Sequence, residues 1–347
     1  MGKFLPNPSG YAARLVKRWP LLLGALSSFA LFSSCSNFSN ENTSLVSSDK
    51  VIRSAYASLE ELFQTEIINI GLEQLGYTPI SGSELEYDII HQALGRNYLD
   101  YTAVHWNPIH RDFFEENGGH AELKRLKPLI ENALQGYLID KATSTSNNIS
   151  SLQELADPEI AKLFDTNGNG KANLVGCPRG WACRGVIESH LDDYNLRDTV
   201  EQDSYEYNAS IERTIQRYEA GEPVLYFTWT PLWVSSVLIP DQDVIWLDVP
   251  PLSPQQNESV VNGTNLGFEI NQIQILANRN FLREHPDIDR WFELVSIPIT
   301  DVSLQNQRMR DGENTPADIR RHAEEWIQNN QGTFDSWLED AKRVGKT

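Results

Sequence analysis

Val224-Leu-Tyr-Phe-Thr-Trp-Thr-Pro-Leu-Trp-Val234 is the stretch on which the fold turns. Pro223 to Phe227 reads as an unbroken apolar run, the pattern of a strand buried on both faces. Thr230-Pro231 then supplies an N-cap and a Pro at the first helical position, so a helix is expected to open there. Strand, short turn and helix leave Trp229 at the carboxyl end of the strand. The same order recurs upstream. Leu99 to Trp106 reads as a strand, followed by Asn107-Pro108 and a helix from about His110. Ala172 to Gly176 reads as a short strand, with Trp181 after it and a helix from about Arg184 to Tyr194.

Farther out, Ser58-Leu59-Glu60-Glu61 has the form of a capping box ahead of an amphipathic helix (Leu62, Phe63, Ile67, Ile70), with Gly76 as its stop. Gln135 to Asp140, Val244 to Val249 and Gln272 to Ala277 read as strands. Ser150 to Phe164, Ser210 to Glu219, Phe281 to Leu294, Thr315-Pro316 through Gln328, and Phe334 to Val344 read as helices. Strands alternating with helices predict an α/β chain with parallel sheets. Two modest sheets are expected: a first lobe from residues 51–137 and 268–347, and a second from residues 138–267.

The chain has 347 residues, 48 acidic against 29 basic, and nine Trp. An acidic surface excludes nucleic acid as the natural partner, since phosphates want a basic one. After the first 35 positions no run of about 18 apolar residues is long enough for a membrane-spanning helix. The start of the chain reads as a targeting segment over residues 1–34: Lys3, Arg14, Lys17 and Arg18 without an acid, then a short apolar core from Leu21 to Phe32. Phe32-Ser-Ser-Cys35 resembles a lipobox, so Cys35 is the expected site of lipidation. Residues 35–50 are expected to form a flexible, Ser/Asn-rich tether to the membrane. Cleavage before Cys35 removes four of the 29 basic residues and leaves 25 minus 48, or −23.

Export implies an oxidising compartment. With Cys35 assigned to lipid, Cys177 and Cys183 remain. They are expected to pair around the seven-residue loop Cys-Pro-Arg-Gly-Trp-Ala-Cys, a ring worth about 2 kcal/mol through chain entropy.

Trp106, Trp181 and Trp229 each follow a strand and precede a helix. In open α/β sheets that is where ligands sit, in the crevice beyond the strand ends. Indole faces hold cations, at roughly 0.5–2 kcal/mol per ring when desolvated. A methylated ammonium, which has no N–H to donate, suits such a box better than carboxylates. His110, four residues after Trp106, can turn toward the same crevice and donate to an anion. Backbone N–H groups at residues 182 and 183, ahead of the expected helix, favour an anion as well. A cation box beside an anion site describes a zwitterion carrying a carboxylate.

These segments resemble a known family. Val224 to Val234, Asp243-Val-Ile-Trp-Leu-Asp-Val-Pro250, Phe164-Asp-Thr-Asn-Gly-Asn-Gly-Lys-Ala172, Cys177 through Gly185 and Ala103-Val-His-Trp-Asn-Pro-Ile-His110 look like the periplasmic glycine betaine/proline betaine-binding protein of the ProU-type ABC importer. The likeness runs from about residue 55 to the C-terminus. It implies a two-lobed type II periplasmic binding protein fold with the ligand between the lobes. It also implies a Trp106, Trp181, Trp229 box for the trimethylammonium group, and carboxylate contacts from His110, Ala182 and Cys183. The expected function is extracytoplasmic capture of glycine betaine or proline betaine for osmoprotection, with a permease and an ATPase as partners and no enzymatic step.

The chain departs from that family in places. Gly stands in the family where this chain has Ala182; a requirement for positive φ there would cost Ala about 1 kcal/mol. The loop around Arg179 differs, as does the tether. Asp165, Asn167 and Asn169 have the 1, 3, 5 spacing of a calcium loop with Gly170 at position 6, but Gly176 stands where the bidentate Glu belongs, so a structural calcium is the lesser expectation beside a plain turn. Other readings are a receptor for carnitine or a choline-like ligand, a sensor lobe, and a hydrolase built on His110 with Asp112 or on a Cys183 thiol. The chain carries no Gly-x-Ser-x-Gly, and its remaining His show no metal spacing.

Overall fold

A computed structural model of the chain describes residues 50–80, 82, 84–203, 206–251 and 260–345. The leader, Cys35 and nearly all of the tether lie outside the described residues.

Two hydrophobic cores organise the described residues. One gathers side chains from Ile52 to Ala133 and from Ile273 to Ala341; the other gathers those from Tyr137 to Phe268. The strands are Val51–Arg53 (β1), Thr78–Ile80 (β2), Tyr101–Asn107 (β3), Leu123–Ala133 (β4), Gln135–Asp140 (β5), Ala172–Val175 (β6), Val200–Asp203 (β7), Leu225–Trp229 (β8), Val244–Trp246 (β9), Val260–Val261 (β10), Thr264–Asn265 (β11) and Asn271–Asn278 (β12). The first lobe holds a sheet ordered β3-β12-β4, the second a sheet ordered β7-β6-β8-β5-β9.

The two-lobed α/β organisation matches expectation, but the sheets are not purely parallel. β12 runs antiparallel to both its neighbours, and so does β5. Each of these is the first strand after the chain crosses between cores, so it enters its sheet from the opposite side and slots between strands laid down by βα units. β4 was not foreseen in the sequence. Its buried residues (Leu123, Leu126, Leu129, Ile130, Ala133) do not alternate, because register shifts against β12 turn successive side chains to the same face, and Pro128 sits within it.

The helix Leu62–Leu75 forms where expected and stops at Gly76, in the left-handed region at φ 97°. It is buried from Leu62 to Leu72 on every side, which makes it the spine of the first lobe. Its expected capping box does not form: Ser58 makes no side-chain cap, and Glu61 turns inward instead. Thr315-Pro316 does open a capped helix, with Asp318 completing the box. Thr230-Pro231 does not. The Thr230 hydroxyl accepts the Leu134 N–H at 3.0 Å, and the Thr230 N–H donates to the Leu134 carbonyl at 2.9 Å, so this residue prolongs the β5–β8 ladder into the crossing segment. Only a short 3₁₀ turn, Trp233–Ser236, comes after it. The expected helix at Ser150–Phe164 is broken into three short turns at Asp157-Pro158.

Candidate functional site

Trp106 lies near the end of β3, 7% exposed, with the turn Asn107-Pro-Ile-His110 closing back on it. The His110 N–H donates to the Trp106 carbonyl at 2.8 Å, and the Trp106 N–H donates to His110 Nδ1 at 3.2 Å. That reciprocal pair explains the four-residue spacing. It also fixes the tautomer: with Nδ1 accepting, the proton of the neutral ring is on Nε2, which is left as a donor. Burial lowers the His110 pKa well below the usual histidine range, and His91 and His105 push it the same way. His110 is therefore a neutral donor at ordinary pH.

Trp181 is the N-cap of the helix Ala182–Asp193, which starts two residues earlier than the sequence pattern suggested. Ala182 and Cys183 are the first two residues of that helix, and their N–H groups have no carbonyl within it to reach. Ala182 takes a helical conformation, so positive φ is not required of it; the left-handed residue of the loop is Gly180, at φ 85°. Cys177 and Cys183 are joined in a disulfide that closes the loop beneath Trp181. Trp229, at the end of β8, lies beside the crossing strand, paired with Gln135.

These pieces meet. Trp106, His110, Trp181, Ala182, Cys183 and Trp229, all six residues expected at the ligand site, line one narrow pocket. The Trp181 and Trp229 rings are 5.2 Å apart at 58°. Tyr207 backs Trp229 at 4.6 Å. Ile109 and Gln135 complete the wall with Tyr87, whose ring stands 5.4 Å from Trp181 and 4.3 Å from His110. The sequence reading missed these three. Gln135 and Tyr87 carried no motif of their own, and only folding brings them to the cleft. The Gln135 side-chain oxygen is buried without a partner among the described residues, so it presents an unused polar atom at the wall.

Behind the box lies a further residue, which the sequence pattern had assigned elsewhere. Glu61 Oε1 accepts from both the Trp106 indole N–H at 2.9 Å and the Tyr87 hydroxyl at 2.7 Å. Oε2 accepts the Ala57 N–H at 3.3 Å. Burial raises the Glu61 pKa to about 7, against the opposing pull of those hydrogen bonds.

Two sets of side chains invite a metal reading. His91, His105 and His110 form a buried cluster whose ring nitrogens lie within 4.8 Å of one another. Zn²⁺ at about 2.0–2.1 Å from each nitrogen would need them about 3.4 Å apart, so the cluster would have to contract. Two of the rings are instead bonded to one another: His91 Nδ1 lies 2.6 Å from the Tyr87 carbonyl, and its Nε2 lies 2.9 Å from His105 Nδ1. In the Asp165–Gly170 loop, the Asp165 carboxylate accepts N–H groups from Asn167, Gly168 and Gly170. The amides of Asn167, Asn169 and Asn173 all donate to Glu201 on the next strand. The turn is thus held both from within, by Asp165, and from the neighbouring strand, by Glu201.

Residues 52–329 match the OpuAC family, the substrate-binding domain of the ABC-type glycine betaine transport system. The chain is 42% identical over 292 residues to the glycine betaine-binding periplasmic protein OusX of Dickeya dadantii, covering 83% of this chain and 88% of the relative. It is 41% identical over 291 residues to the glycine betaine/proline betaine-binding periplasmic protein of Escherichia coli, with the same coverage. Among solved structures, a glycine betaine, L-proline-binding protein (ProX) from Borrelia burgdorferi is similar in fold, with a TM-score of 0.66 at 19% identity over 85% of this chain and 99% of that one. Lactococcal OpuAC in its closed, liganded conformation gives 0.63 at 17% identity over 83% and 99%. With the fold, the pocket and these relatives in agreement, the chain belongs to the OpuAC family of substrate-binding domains of ABC-type glycine betaine transport systems.

Proposed function

We propose that this protein captures glycine betaine or proline betaine outside the cytoplasm and delivers it to the permease and ATPase of an ABC importer, as part of osmoprotection. One observation carries the reading: three indoles borne by two lobes converge on a single pocket whose remaining wall holds a neutral imidazole donor and two helix-start amides. The trimethylammonium group fits against the rings of Trp106, Trp181 and Trp229, each worth roughly 0.5–2 kcal/mol. The carboxylate takes the His110 Nε2–H and the N–H groups of Ala182 and Cys183, where the helix dipole adds to the attraction. Small hydrated cations gain too little from indole faces to give up their water. A cation without a carboxylate leaves the donors unpaired, which costs affinity.

Both lobes supply walls, so the ligand is held most tightly when they are closed around it. Further contacts join the lobes away from the pocket. Arg310 pairs with Glu212 at 3.2 Å and lies over Trp233 at 5.0 Å, and Asn208 donates to Glu60 at 3.2 Å. A leader with a basic start and the lipobox-like Phe32-Ser-Ser-Cys35 support a form held at the membrane by lipid on Cys35. Palmitate labelling of wild type and Cys35→Ser tests that part.

Calorimetric titration with glycine betaine, proline betaine, choline and carnitine tests the assignment, and heat from none of them would remove it. His110→Ala is expected to weaken glycine betaine about tenfold or more, the worth of a hydrogen bond to a charged group. Choline, which has no carboxylate, should change less than about twofold by competition. Equal losses for both ligands would mean that His110 acts by holding the turn at Trp106 rather than by donating to the carboxylate.

A further inference from the structure

We propose that Glu61 is the counter-charge of the cation subsite: a buried carboxylate that acts through the Trp106 and Tyr87 rings to favour a positively charged headgroup and to disfavour a neutral one of the same shape. This rests on the betaine reading above and adds to it a residue that does not touch the ligand.

The geometry is specific. A single oxygen of Glu61 accepts from the polar edges of two aromatic rings that both line the pocket. A ring that donates its N–H or O–H to an anion gains electron density, and its face becomes a better seat for a cation. The carboxylate is buried with its chain position at the turn ahead of Leu62–Leu75, and it takes part in none of the ion pairs found among the described residues. A buried carboxylate with no partner cation is costly, and groups in that position commonly face a charge supplied from elsewhere. The quaternary ammonium of the ligand is such a charge, arriving on the far side of the two rings. Helix capping does not account for the carboxylate: Glu61 is the N-cap residue of Leu62–Leu75, yet its side chain makes no capping hydrogen bond there.

The surroundings make the charge state readable. Tyr87 and Trp106 face Glu61 from the helix Tyr87–Gly95 and from β3. The Ala57 N–H faces it from the preceding segment. Glu60, its neighbour in the chain, raises its pKa by like charge. Asn306, from the helix Ile299–Arg310, binds the Glu60 carbonyl and carries no charge. His110, beyond Tyr87, stays neutral. The betaine's own carboxylate remains ionised throughout this range. The bound cation favours ionised Glu61, so affinity is full above a pH of about 7 and falls as pH drops through it.

Calorimetry on the full chain decides this, with two probes: glycine betaine, and 3,3-dimethylbutanoate, in which carbon replaces the quaternary nitrogen. The second is measured by direct titration or by competition. Glu61→Gln keeps the side-chain length and one acceptor oxygen. It is expected to weaken glycine betaine about tenfold at pH 8 and to bind the carbon isostere as well as wild type or better. Wild type should lose affinity for glycine betaine between pH 8 and pH 6, while Glu61→Gln stays flat. Tyr87→Phe removes a hydrogen bond that favours the ionised carboxylate, so its pH midpoint should lie above that of wild type. Equal losses of both probes in Glu61→Gln would make Glu61 merely structural and overturn the proposal, as would a wild-type-like response to pH. Failure of wild type to bind glycine betaine at either pH would instead overturn the functional reading itself.

Discussion

Trp181→Ala should weaken glycine betaine binding by roughly thirtyfold while leaving the unliganded fold close to its original stability. The ring sits where three parts of the site meet: 5.2 Å from Trp229, 5.4 Å from Tyr87 in the opposite lobe, and at the N-cap that aims the Ala182 and Cys183 amides. A desolvated indole facing a cation is worth about 2 kcal/mol, or about thirtyfold. It is only half-buried, so its loss opens no sealed cavity in either core. The backbone of the N-cap survives the change, because Trp181 caps the helix with no side-chain hydrogen bond. The expected signature in thermal unfolding comes from linkage. Ligand at a hundred times the wild-type Kd stabilises wild type by about 2.7 kcal/mol, and the same concentration should stabilise a thirtyfold weaker variant by about 0.9 kcal/mol. Calorimetry gives the affinity and unfolding scans give the linkage. A variant that binds like wild type would remove Trp181 from the box.

Much of this site was legible in the sequence because each part is local. A Trp at the end of a strand, a His four residues on and amides at a helix start are short-range patterns, and the α/β arrangement carries their direction. The four-residue step from Trp106 to His110 even encodes the hydrogen-bonded turn that sets the imidazole tautomer. The close Cys177–Cys183 spacing encodes the ring beneath Trp181. What could not be read is what only the folded chain brings together. Tyr87 and Gln135 reach the pocket, and Glu61 the back of its rings, from elements tens of residues apart, without any motif that marks them. Glu61 was positively misleading, since Ser58 to Glu61 satisfies the capping pattern while burial against Trp106 and Tyr87 offers the carboxylate better partners.

The same distinction explains the errors in the fold. Periodicity identifies a strand but says nothing of its direction, so β5 and β12 could not be recognised as the strands that enter antiparallel after each crossing. Thr230-Pro231 carries a strong helix-start signal, yet two hydrogen bonds to Leu134 hold Thr230 in the sheet extension instead. At Thr230 a tertiary contact overrode a local preference worth about 1 kcal/mol. For the site the outcome matters, because the two bonds between Thr230 and Leu134 fix Trp229 beside a segment that crosses between the lobes.

The spine of the first lobe makes the second large prediction, this time on stability. Gly71 lies in the buried stretch of Leu62–Leu75, with Trp291 packed flat against it. A Cβ added at Gly71 would fall 2.0 Å from Trp291 Cζ2 and 2.4 Å from its Cε2. The indole has little freedom to retreat. It is fully buried, it donates to the Ile68 carbonyl at 3.3 Å, and Phe334 stands against it at 5.3 Å. In an exposed helix Gly→Ala gains about 1 kcal/mol, but overpacking a close-packed core costs about 1–3 kcal/mol and at times more. With an overlap this severe the steric cost wins, and Gly71→Ala should destabilise the protein by about 3 kcal/mol. Gly185→Ala provides the contrast. It lies exposed in the helix Ala182–Asp193 with nothing within 4 Å of the added carbon, so it should be neutral or stabilising by up to about 1 kcal/mol. Denaturant unfolding of the two variants beside wild type measures both, and a Gly71→Ala protein as stable as wild type would mean that the helix and Trp291 can separate at no cost. Binding should rank the variants differently, because the Gly71→Ala molecules that remain folded keep their pocket: the number of sites per folded protein should be unchanged even as the midpoint falls.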